Sequence, residues 1–400
     1  MRRSSAALFE LAVTDRLNEW QVDLSRLEPA AGYVAQVVRA RYPALDLPLH
    51  SRWRHFVFGG RDLWAAMAAR AAWPDAAAKA RAAFDLAITS VLLDAGAGPT
   101  WRYRDVATGI VAARSEGLAL ASLRWFESGG FSSATGDPLR ADADGLARLD
   151  AATLEKTFQV DATNPLVGAG DRAALLNRVG SALRARPDLF ETGGTLRPGG
   201  LFDHFTRLAA GSPLPAERIL ETLLEAFGGI WRDRPVLDGV PLGDCWPHPA
   251  LQEVAARSGD PTLGYAVLHK LSQWLSYSLV EPLQEAGIEV VALDGLTGLP
   301  EYRNGGLFID LGVLVPKDAT ALTVSQPVSG PFVVGWRALT IVLLDRLAPL
   351  VGAKLGLPQD ARLLGRVLEG GTWAAGRQVA RERRGDGGPP FHILSDGTVL

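Results

Sequence analysis

Three carboxylates and one arginine lie close together between residues 290 and 316: Asp294, Glu301, Arg303 and Asp310. The residues that enclose them are mostly apolar, and an Asn-Gly-Gly turn signal separates them. A carboxylate held against apolar neighbours has a raised pKa and can exchange protons near neutral pH. The segment therefore predicts acid–base chemistry. It fits equally well a strand–turn–strand whose acids simply face water.

An aspartate followed by a histidine, Asp203-His204, is the second candidate for chemistry. Phe202 and Phe205 flank the pair, and glycines precede it. This enclosure is unusual for a surface turn and favours a pair that transfers protons. The alternative is a buried, hydrogen-bonded structural pair.

A third group of candidates lies between residues 50 and 62, where basic side chains surround aromatic ones. They are His50, Arg52, Arg54 and His55, beside Trp53 and Phe56. Arginine beside backbone N–H groups suits a phosphate or a carboxylate, so the segment fits an anion site. An amphipathic loop whose arginines reach into solvent fits equally well.

Mainly helices must position these residues, because apolar spacing and alanine content favour helices along most of the chain. They are predicted at 6–20, 33–41, 61–96 with a break at Pro74, 114–126, 146–158, from Asp171 onward, 215–228, 261–286, 331–350 and 358–384. Short strands are predicted near 288–293, near 307–315 and at the C-terminus, around a Ser-Asp-Gly turn. Asp171 is the expected N-cap of its helix, and Arg172 lies where it could meet an anion, although solvent exposure is the commoner outcome.

The predicted fold is mainly α with a few short strands, in one continuous domain over residues 1–400. The turn-rich segment 128–145 is interpreted as a surface loop at a possible seam.

Composition excludes several classes of protein. A net charge of −3 and a pI near 6.1 give no electrostatic footprint for nucleic acid or an anionic membrane. One cysteine, Cys245, excludes an internal disulfide and a cysteine-rich metal site. The N-terminus is typical of an amphipathic helix rather than a signal peptide, and no apolar run is long enough to span a bilayer. We expect a cytoplasmic protein.

The absence of other catalytic motifs leaves the carboxylates as the candidate catalytic groups. The sequence contains no P-loop, no nucleophile elbow, no zinc-protease motif and no EF-hand loop. The six histidines are scattered, so neither a metal nor another cofactor is expected. Carboxylates beside arginine and aromatic side chains can catalyse acid–base cleavage at an activated carbon, such as the carbon of a glycosidic bond.

Segments along nearly the whole chain resemble the uracil-catabolism protein family of fungi and bacteria. They are HSRWRHF, GAGPTWRY, RSEGLALASL, NPLVG, RPGGLFDHF, LTGLPEYRNGGLFIDLGVL and the terminal SDGTV. The resemblance implies a pathway in which uracil is phosphoribosylated and its base is opened. The resulting ribosylurea must then be split into urea and a ribose moiety.

The stretch EYRNGGLFIDLGVL is also similar to a segment of the queuosine-salvage nucleotide hydrolases. That similarity implies a helical, DNA-glycosylase-like body and cleavage of an N-glycosidic bond. Glu301 stands before Tyr302-Arg303 where that family has an aspartate, and Asn304-Gly305 replaces its proline-glutamine. These differences leave a role for the carboxylate and put the substrate's identity in question.

We therefore expect an N-ribosyl hydrolase acting on a ribosylurea-type intermediate, as its 5-phosphate. Glu301 is assigned to the anomeric carbon, and Asp203, oriented by His204, to the water or the leaving group. Asp310 is a supporting or alternative acid. The other candidate substrate-binding residues are Arg303, Arg54 and His55 for the phosphate, together with Tyr302, Asp294 and Trp336.

Two alternatives remain. One is an amidohydrolase-type step on the opened base, which would favour a metal. The other is a non-catalytic helical partner of the other pathway enzymes. The expected partner of the hydrolase is a small molecule, with neither nucleic acid nor membrane.

Overall fold

The computed structural model describes residues 1–394, which form two compact units. Within the described residues, the first unit comprises 1–50, 233–273 and 292–394, and the second comprises 51–232 and 274–291. The turn-rich segment 128–145 lies inside the second unit, and Phe131 and Ala141 within it are fully buried. The single continuous domain stays a prediction.

Helices dominate the fold and hold 56% of the chain, which confirms the mainly α class. They are α1 Arg2–Val13, α2 Leu27–Arg41, α3 Leu63–Ala68, α4 Ala76–Leu92, α5 Arg114–Glu127, α6 Ala143–Ala147, α7 Ala151–Thr157, α8 Ala169–Ala185, α9 Pro187–Phe190, α10 Gly200–Ala209, α11 Ala216–Phe227, α12 Pro249–Ser258, α13 Lys270–Glu285, α14 Tyr302–Asp310, α15 Pro331–Leu355, α16 Leu363–Val367 and α17 Trp373–Arg383. The glycosylase-like architecture stays a prediction.

The strands of the described residues are two or three residues long and pair only two at a time. They are β1 Trp20–Val22, β2 Val57–Phe58, β3 Arg61–Asp62, β4 Arg102–Arg104, β5 Val111–Ala113, β6 Glu191–Thr192, β7 Thr195–Leu196, β8 Leu214–Pro215, β9 Val236–Leu237, β10 Val240–Pro241, β11 Cys245–Pro247, β12 Tyr265–Val267, β13 Val290–Val291, β14 Leu314–Pro316, β15 Gln326–Pro327 and β16 Ile393–Leu394. β16 pairs with β15 in parallel. The predicted Ser-Asp-Gly turn and the strand after it lie outside the described residues.

Helix α15 is the centre of the first unit. Its buried residues point in all directions around the helix axis, and it packs against α1, α2, α14 and α16. A helix that is apolar all round must be enclosed by other elements, as this one is. Pro331 occupies its first turn and Gly356, in the left-handed conformation, ends it. None of the helices in residues 1–394 combines the length and apolarity needed to cross a membrane.

Helix α4 is the centre of the second unit. Backbone carbonyls that follow its end bind the side chain of Arg172, and this contact corrects the prediction for that residue. The Arg172 side chain is fully buried, and its Nε donates to the carbonyl of Leu93 at 2.9 Å. Its Nη2 donates to the carbonyls of Ala95 and Gly96. Arg172 thus satisfies carbonyls left unpaired where a helix ends, and it faces neither solvent nor a free anion site.

The predicted cap of the neighbouring helix is also wrong. α8 begins at Ala169, after Gly168 in the left-handed conformation, so Asp171 lies in the first turn. Glycine adopts that conformation without a Cβ penalty, and it sets the start of the helix before Asp171 is reached. Several other predicted boundaries move: for example, the first helix ends at Val13 rather than at residue 20, and α13 begins at Lys270 rather than at 261.

The strand predicted over 307–315 is wrong, because residues 302–310 form helix α14 and only Leu314–Pro316 is a strand. The strand predicted over 288–293 shrinks to Val290–Val291. The Asn-Gly-Gly segment does not form a hairpin turn. It lies inside α14, where it allows close packing against another helix. A Cβ on Gly305 would lie 2.4 Å from Cε2 of Trp336, so glycine lets α14 approach α15.

The same close approach gives a stability prediction. A Cβ on Gly376 of α17 would lie 2.1 Å from the backbone oxygen of Arg303, which cannot move aside easily. We expect Gly376→Ala to lower the free energy of unfolding by about 1–3 kcal/mol, the usual cost of overpacking. Denaturant unfolding measures this change.

A glycine in α2 provides the matched control. A Cβ on Gly32 would meet no atom within 4 Å, and the residue has an ordinary helical φ. Gly32→Ala should raise the free energy of unfolding by about 0.5–1 kcal/mol, because alanine is the better helix former. Equal effects of the two substitutions would contradict the packing argument.

Candidate functional site

Some of the predicted site residues lie in the first unit, and the others lie in the second. The first unit holds Glu301, Tyr302, Arg303, Asp310, Asp294 and Trp336, and the second holds Asp203, His204, Arg54 and His55. Each set therefore belongs to its own unit.

Glu301 is the N-cap of α14. One carboxylate oxygen accepts the backbone N–H of Arg303 at 2.9 Å, and the other accepts that of Asn304 at 2.7 Å. Only 5% of Glu301 is exposed. The first turn of a helix leaves N–H groups unpaired and carries a partial positive charge, so a carboxylate is stable there. The cap therefore orients a buried negative group at a defined place.

Arg303 is buried beside this carboxylate, with 3% of its surface exposed. Its guanidinium carbon lies 4.3 Å from the ring centroid of Trp373 and 5.2 Å from that of Tyr302. Its Nε also donates to the Tyr302 hydroxyl at 3.2 Å. Aromatic faces attract a guanidinium group, which keeps its charge in such surroundings.

Three buried polar atoms near α14 have no hydrogen-bond partner among the described residues. They are Oδ1 of Asn304, Nε1 of Trp336 and Oγ1 of Thr372. Trp336 meets α14 at Gly305, and Thr372 stands one turn before Gly376, which touches the backbone of Arg303. Buried polar groups are nearly always paired, so unpaired ones at one place indicate groups that a ligand can satisfy.

We call the residues around the start of α14 the α14 cluster: Glu301, Arg303, Asn304, Trp336, Thr372 and Trp373. It combines a carboxylate, a guanidinium group, aromatic faces and unpaired hydrogen-bonding atoms. Such a set can bind an anionic, hydroxyl-bearing molecule and stabilise a positive charge that develops in it.

A π-helical turn, residues 368–372, joins α16 to α17 and adjoins this cluster. Turns of this kind inside α-helices are frequent at functional sites. The turn carries Glu369, whose Oε2 lies 2.6 Å from Nδ1 of His50. The His50 ring lies 5.9 Å from the ring of Trp373, so the pair adjoins the α14 cluster.

Sequence reasoning missed Glu369, Thr372 and Trp373. The sequence did contain a signal for this segment. Glu369-Gly370-Gly371 has the same pattern as Asn304-Gly305-Gly306, an acid or amide followed by two glycines. In both places glycines remove side chains where helices approach closely.

The other two acids of the opening segment are less suited to chemistry. Both carboxylate oxygens of Asp310 are bonded to Arg384, at 2.7 and 2.6 Å. Asp294 is exposed in a short 3-10 turn, Leu293–Gly295. Among residues 1–394, no three His, Cys, Asp or Glu side chains are grouped so that they could hold a metal ion.

In the second unit, Asp203 is held by Arg81 rather than by His204. Nε and Nη2 of Arg81 donate to the two carboxylate oxygens at 2.9 and 2.7 Å. Burial opposes ionisation of Asp203, but the hydrogen bonds from Arg81 and Thr192 and the charges of Arg81 and Arg207 together outweigh it, and the pKa lies below its usual value. Asp203 is therefore ionised at neutral pH and cannot donate a proton there.

His204 packs edge-on against Phe205, with ring centroids 5.6 Å apart. Burial, assisted by the charge of Arg207, lowers the pKa of His204. The charges of Asp188 and Glu225 act in the opposite direction and raise its pKa, but they do not outweigh burial.

The basic residues of the predicted anion site already have acidic or aromatic partners. Arg52 is fully buried and forms an ion pair with Asp94, and Arg54 forms one with Glu281. The His55 ring packs edge-on against Trp274 at 5.4 Å. Arg52, Arg54 and His55 consequently take part in packing within the second unit, whereas His50 belongs to the first unit.

Comparisons with known proteins agree along the whole chain. A family model described as "Protein of unknown function (DUF1688)" matches residues 1–400. "Uracil catabolism protein 4" of Lachancea kluyveri is 36% identical over 419 residues, which cover 96% of this chain and 92% of that protein. "Protein urg3" of Schizosaccharomyces pombe is 36% identical over 410 residues, which cover 100% of this chain and 96% of that protein.

Proposed function

Because this chain belongs to the DUF1688 family, we propose that it acts in uracil catabolism, as does the relative from Lachancea kluyveri by its name. We propose further that it is an N-ribosyl hydrolase. Its substrate would be a ribosylurea-type compound, as the 5-phosphate, and its products would be urea and ribose phosphate.

The α14 cluster is the observation that carries this proposal. Cleavage of an N-ribosyl bond develops positive charge on the anomeric carbon, and a carboxylate stabilises that charge. The Glu301 carboxylate is buried and oriented by two N–H groups. A carboxylate has about four lone-pair sites, so two remain for the ribose.

The remaining groups of the cluster match the rest of the substrate. The guanidinium group of Arg303 suits the phosphate, since arginine binds phosphate through charge-assisted hydrogen bonds. The unpaired atoms of Asn304, Trp336 and Thr372 offer one acceptor, one donor and one hydroxyl. Ribose hydroxyls and the ureido group present the complementary atoms.

The direct test is to incubate the pure protein with ribosylurea and, separately, with its 5-phosphate. Urea and reducing sugar should appear in equal amounts, with faster release from the phosphate ester. Heat-denatured protein provides the control. Release of ammonia in place of urea would indicate an amidohydrolase, and no release from either compound would contradict the proposal.

Removal of the charge on Arg303 tests the phosphate contact. Arg303→Met keeps an apolar stem against Trp373 but loses charge-assisted hydrogen bonds worth about 1.5–3 kcal/mol each. We expect KM for the 5-phosphate to rise about 10- to 100-fold, with a much smaller change for the unphosphorylated compound. Steady-state kinetics on both substrates measures the difference.

Arg346→Met is the matched control. Arg346 also lies over an aromatic ring in the first unit, 4.5 Å from the centroid of Phe9, and its side chain is exposed. This variant should keep the wild-type KM. A similar rise in KM for both substrates in Arg303→Met would show that Arg303 does not contact the phosphate.

A further inference from the structure

We propose that His50 transfers the proton in this reaction and that Glu369 positions and supports its imidazole. The inference rests on the proposed function and supplies a proton-transfer group for it. Such a group is needed because Asp203 is ionised and bonded to Arg81.

The contact between the two side chains carries the inference. Nδ1 of His50 and Oε2 of Glu369 lie 2.6 Å apart, and both residues are buried, with 2% and 5% exposure. An ionised carboxylate only accepts hydrogen bonds, so Nδ1 carries the proton and donates it. Nε2 is then the nitrogen that takes up and releases a proton, as in histidines oriented by a carboxylate.

The backbone around the pair is built to hold it in place. The His50 N–H donates to the carbonyl of Gly365 at 3.0 Å, which anchors the histidine one turn before the π-helical turn. A Cβ on Gly370 would lie 2.0 Å from Leu47, and one on Gly371 would lie 2.7 Å from Val34. The absence of side chains at both glycines lets the turn pack this closely, and the approach brings Glu369 to His50.

A second histidine–glutamate pair of the first unit, buried His248 and half-buried Glu19, differs in geometry. Nε2 of His248 lies 3.7 Å from Glu19, too far for a hydrogen bond, and its Nδ1 accepts the N–H of Ala250 at 3.3 Å. Burial lowers the pKa of His248 to about 4 and raises that of Glu19. That histidine stays neutral and caps α12, so the two pairs have different roles.

Atoms and electrons balance in the proposed step. The C1–N bond of the ribosylurea breaks, and its electron pair stays on the urea nitrogen. A water oxygen forms the new bond to C1, and Nε2 of His50 takes one of the water's protons. The imidazolium, stabilised by Glu369, passes that proton to the urea nitrogen, so water is divided between the products and His50 returns to its neutral form.

Charged and titratable groups approach His50 from several elements of the described chain. Glu369 on the π-helical turn touches the ring, and the Tyr42 hydroxyl lies 3.5 Å from the other oxygen of Glu369. Arg303 of α14 and Arg377 of α17 contact the same Trp373 ring that His50 approaches. Glu369 contacts the imidazole directly, at 2.6 Å, so we expect it to have the strongest effect on the orientation of the His50 ring.

The test compares pH profiles of urea release by the wild type and Glu369→Gln. The reaction needs a neutral imidazole, so kcat/KM should rise with pH through a limb that reports His50. Glutamine keeps the shape of the side chain but removes the negative charge that faces the imidazolium during proton transfer. We expect kcat to fall about 10- to 100-fold, the limb to move to lower pH, and KM to change little.

Two further variants make the result decisive. His50→Asn should abolish the ascending limb, and it decides the matter if Glu369→Gln does not fold. Glu19→Gln alters the other histidine–glutamate pair and should keep both the rate and the profile.

The outcomes separate the inference from the function on which it rests. If the wild type releases no urea, both fail. If the wild type releases urea but the limb is unchanged in Glu369→Gln or persists in His50→Asn, the inference alone is wrong. A loss confined to KM would also overturn it.

Discussion

Replacement of Glu301 with glutamine should lower kcat and kcat/KM together by about 10²–10³-fold, the cost of losing one preorganised electrostatic partner. Glutamine fills the same space, so ground-state binding should change little. The positive charge on the anomeric carbon exists only in the transition state, and the neutral amide does not stabilise it. Single-turnover and steady-state urea release measure the two constants.

The structure adds a stability effect to this prediction. A glutamine side chain has one accepting oxygen, whereas Glu301 accepts two backbone N–H groups. The cap should weaken by about 0.5–2 kcal/mol, which lowers Tm while the protein stays folded. Asp75→Asn, which alters the cap of α4 at Ala78, is the matched control and should keep full activity. Wild-type turnover by folded Glu301→Gln would show that the carboxylate is a cap and nothing more.

Asp244→Ala should produce the largest loss of stability. Its carboxylate accepts two hydrogen bonds from Arg337, each 2.7 Å long, and others from the Trp246 indole and the Lys270 backbone. Arg337 has no exposed surface, so the substitution leaves a buried charge without its partner. We expect the free energy of unfolding to fall by about 3–5 kcal/mol, as measured by denaturant unfolding.

An exposed ion pair gives the comparison. Asp345 pairs with Arg2 at the surface, and Asp345→Ala should cost only about 0–1 kcal/mol. Equal losses from the two aspartates would contradict the argument from burial.

The stabilisation by Asp244 should depend on pH. Burial alone would raise the pKa of Asp244, but the charge and hydrogen bonds of Arg337 outweigh burial, and the pKa lies below its usual value. The contribution is therefore complete above the pKa of the unfolded chain, about 3.9, and is lost as the pH falls through the folded-state pKa. The difference in stability between wild type and Asp244→Ala should shrink in acid.

The positions of long helices could be predicted from sequence, because apolar residues and good helix formers recur along them. α15 was predicted at 331–350 and extends to Leu355. The prediction of a strand over 307–315 failed because its apolar run packs as part of a nine-residue helix. The fit of Gly305 against Trp336 decides between the two structures, and that contact is distant in sequence.

For a similar reason, only some residues of the candidate site could be proposed from the sequence. Glu301 and Arg303 were found because an acid and an arginine near apolar residues are visible locally. Glu369 was not, because its partner His50 is 319 positions away along the chain. Asp203 and Arg54 were chosen for their types, and the arginine and glutamate that bond to them could not be identified from the residues beside them.

The π-helical turn at 368–372 has a consequence for how this family can vary in length. Such a turn contains one residue more than an α-helical turn. It is therefore equivalent to the insertion of one residue into a continuous helix. Removing one residue there would restore α-helical spacing and rotate Trp373 by about 100° relative to Glu369. The helix would survive, but Glu369 could no longer meet His50 while Trp373 covers Arg303. Family members one residue shorter between Val367 and Trp373 should therefore fold alike and lack the proposed hydrolase activity.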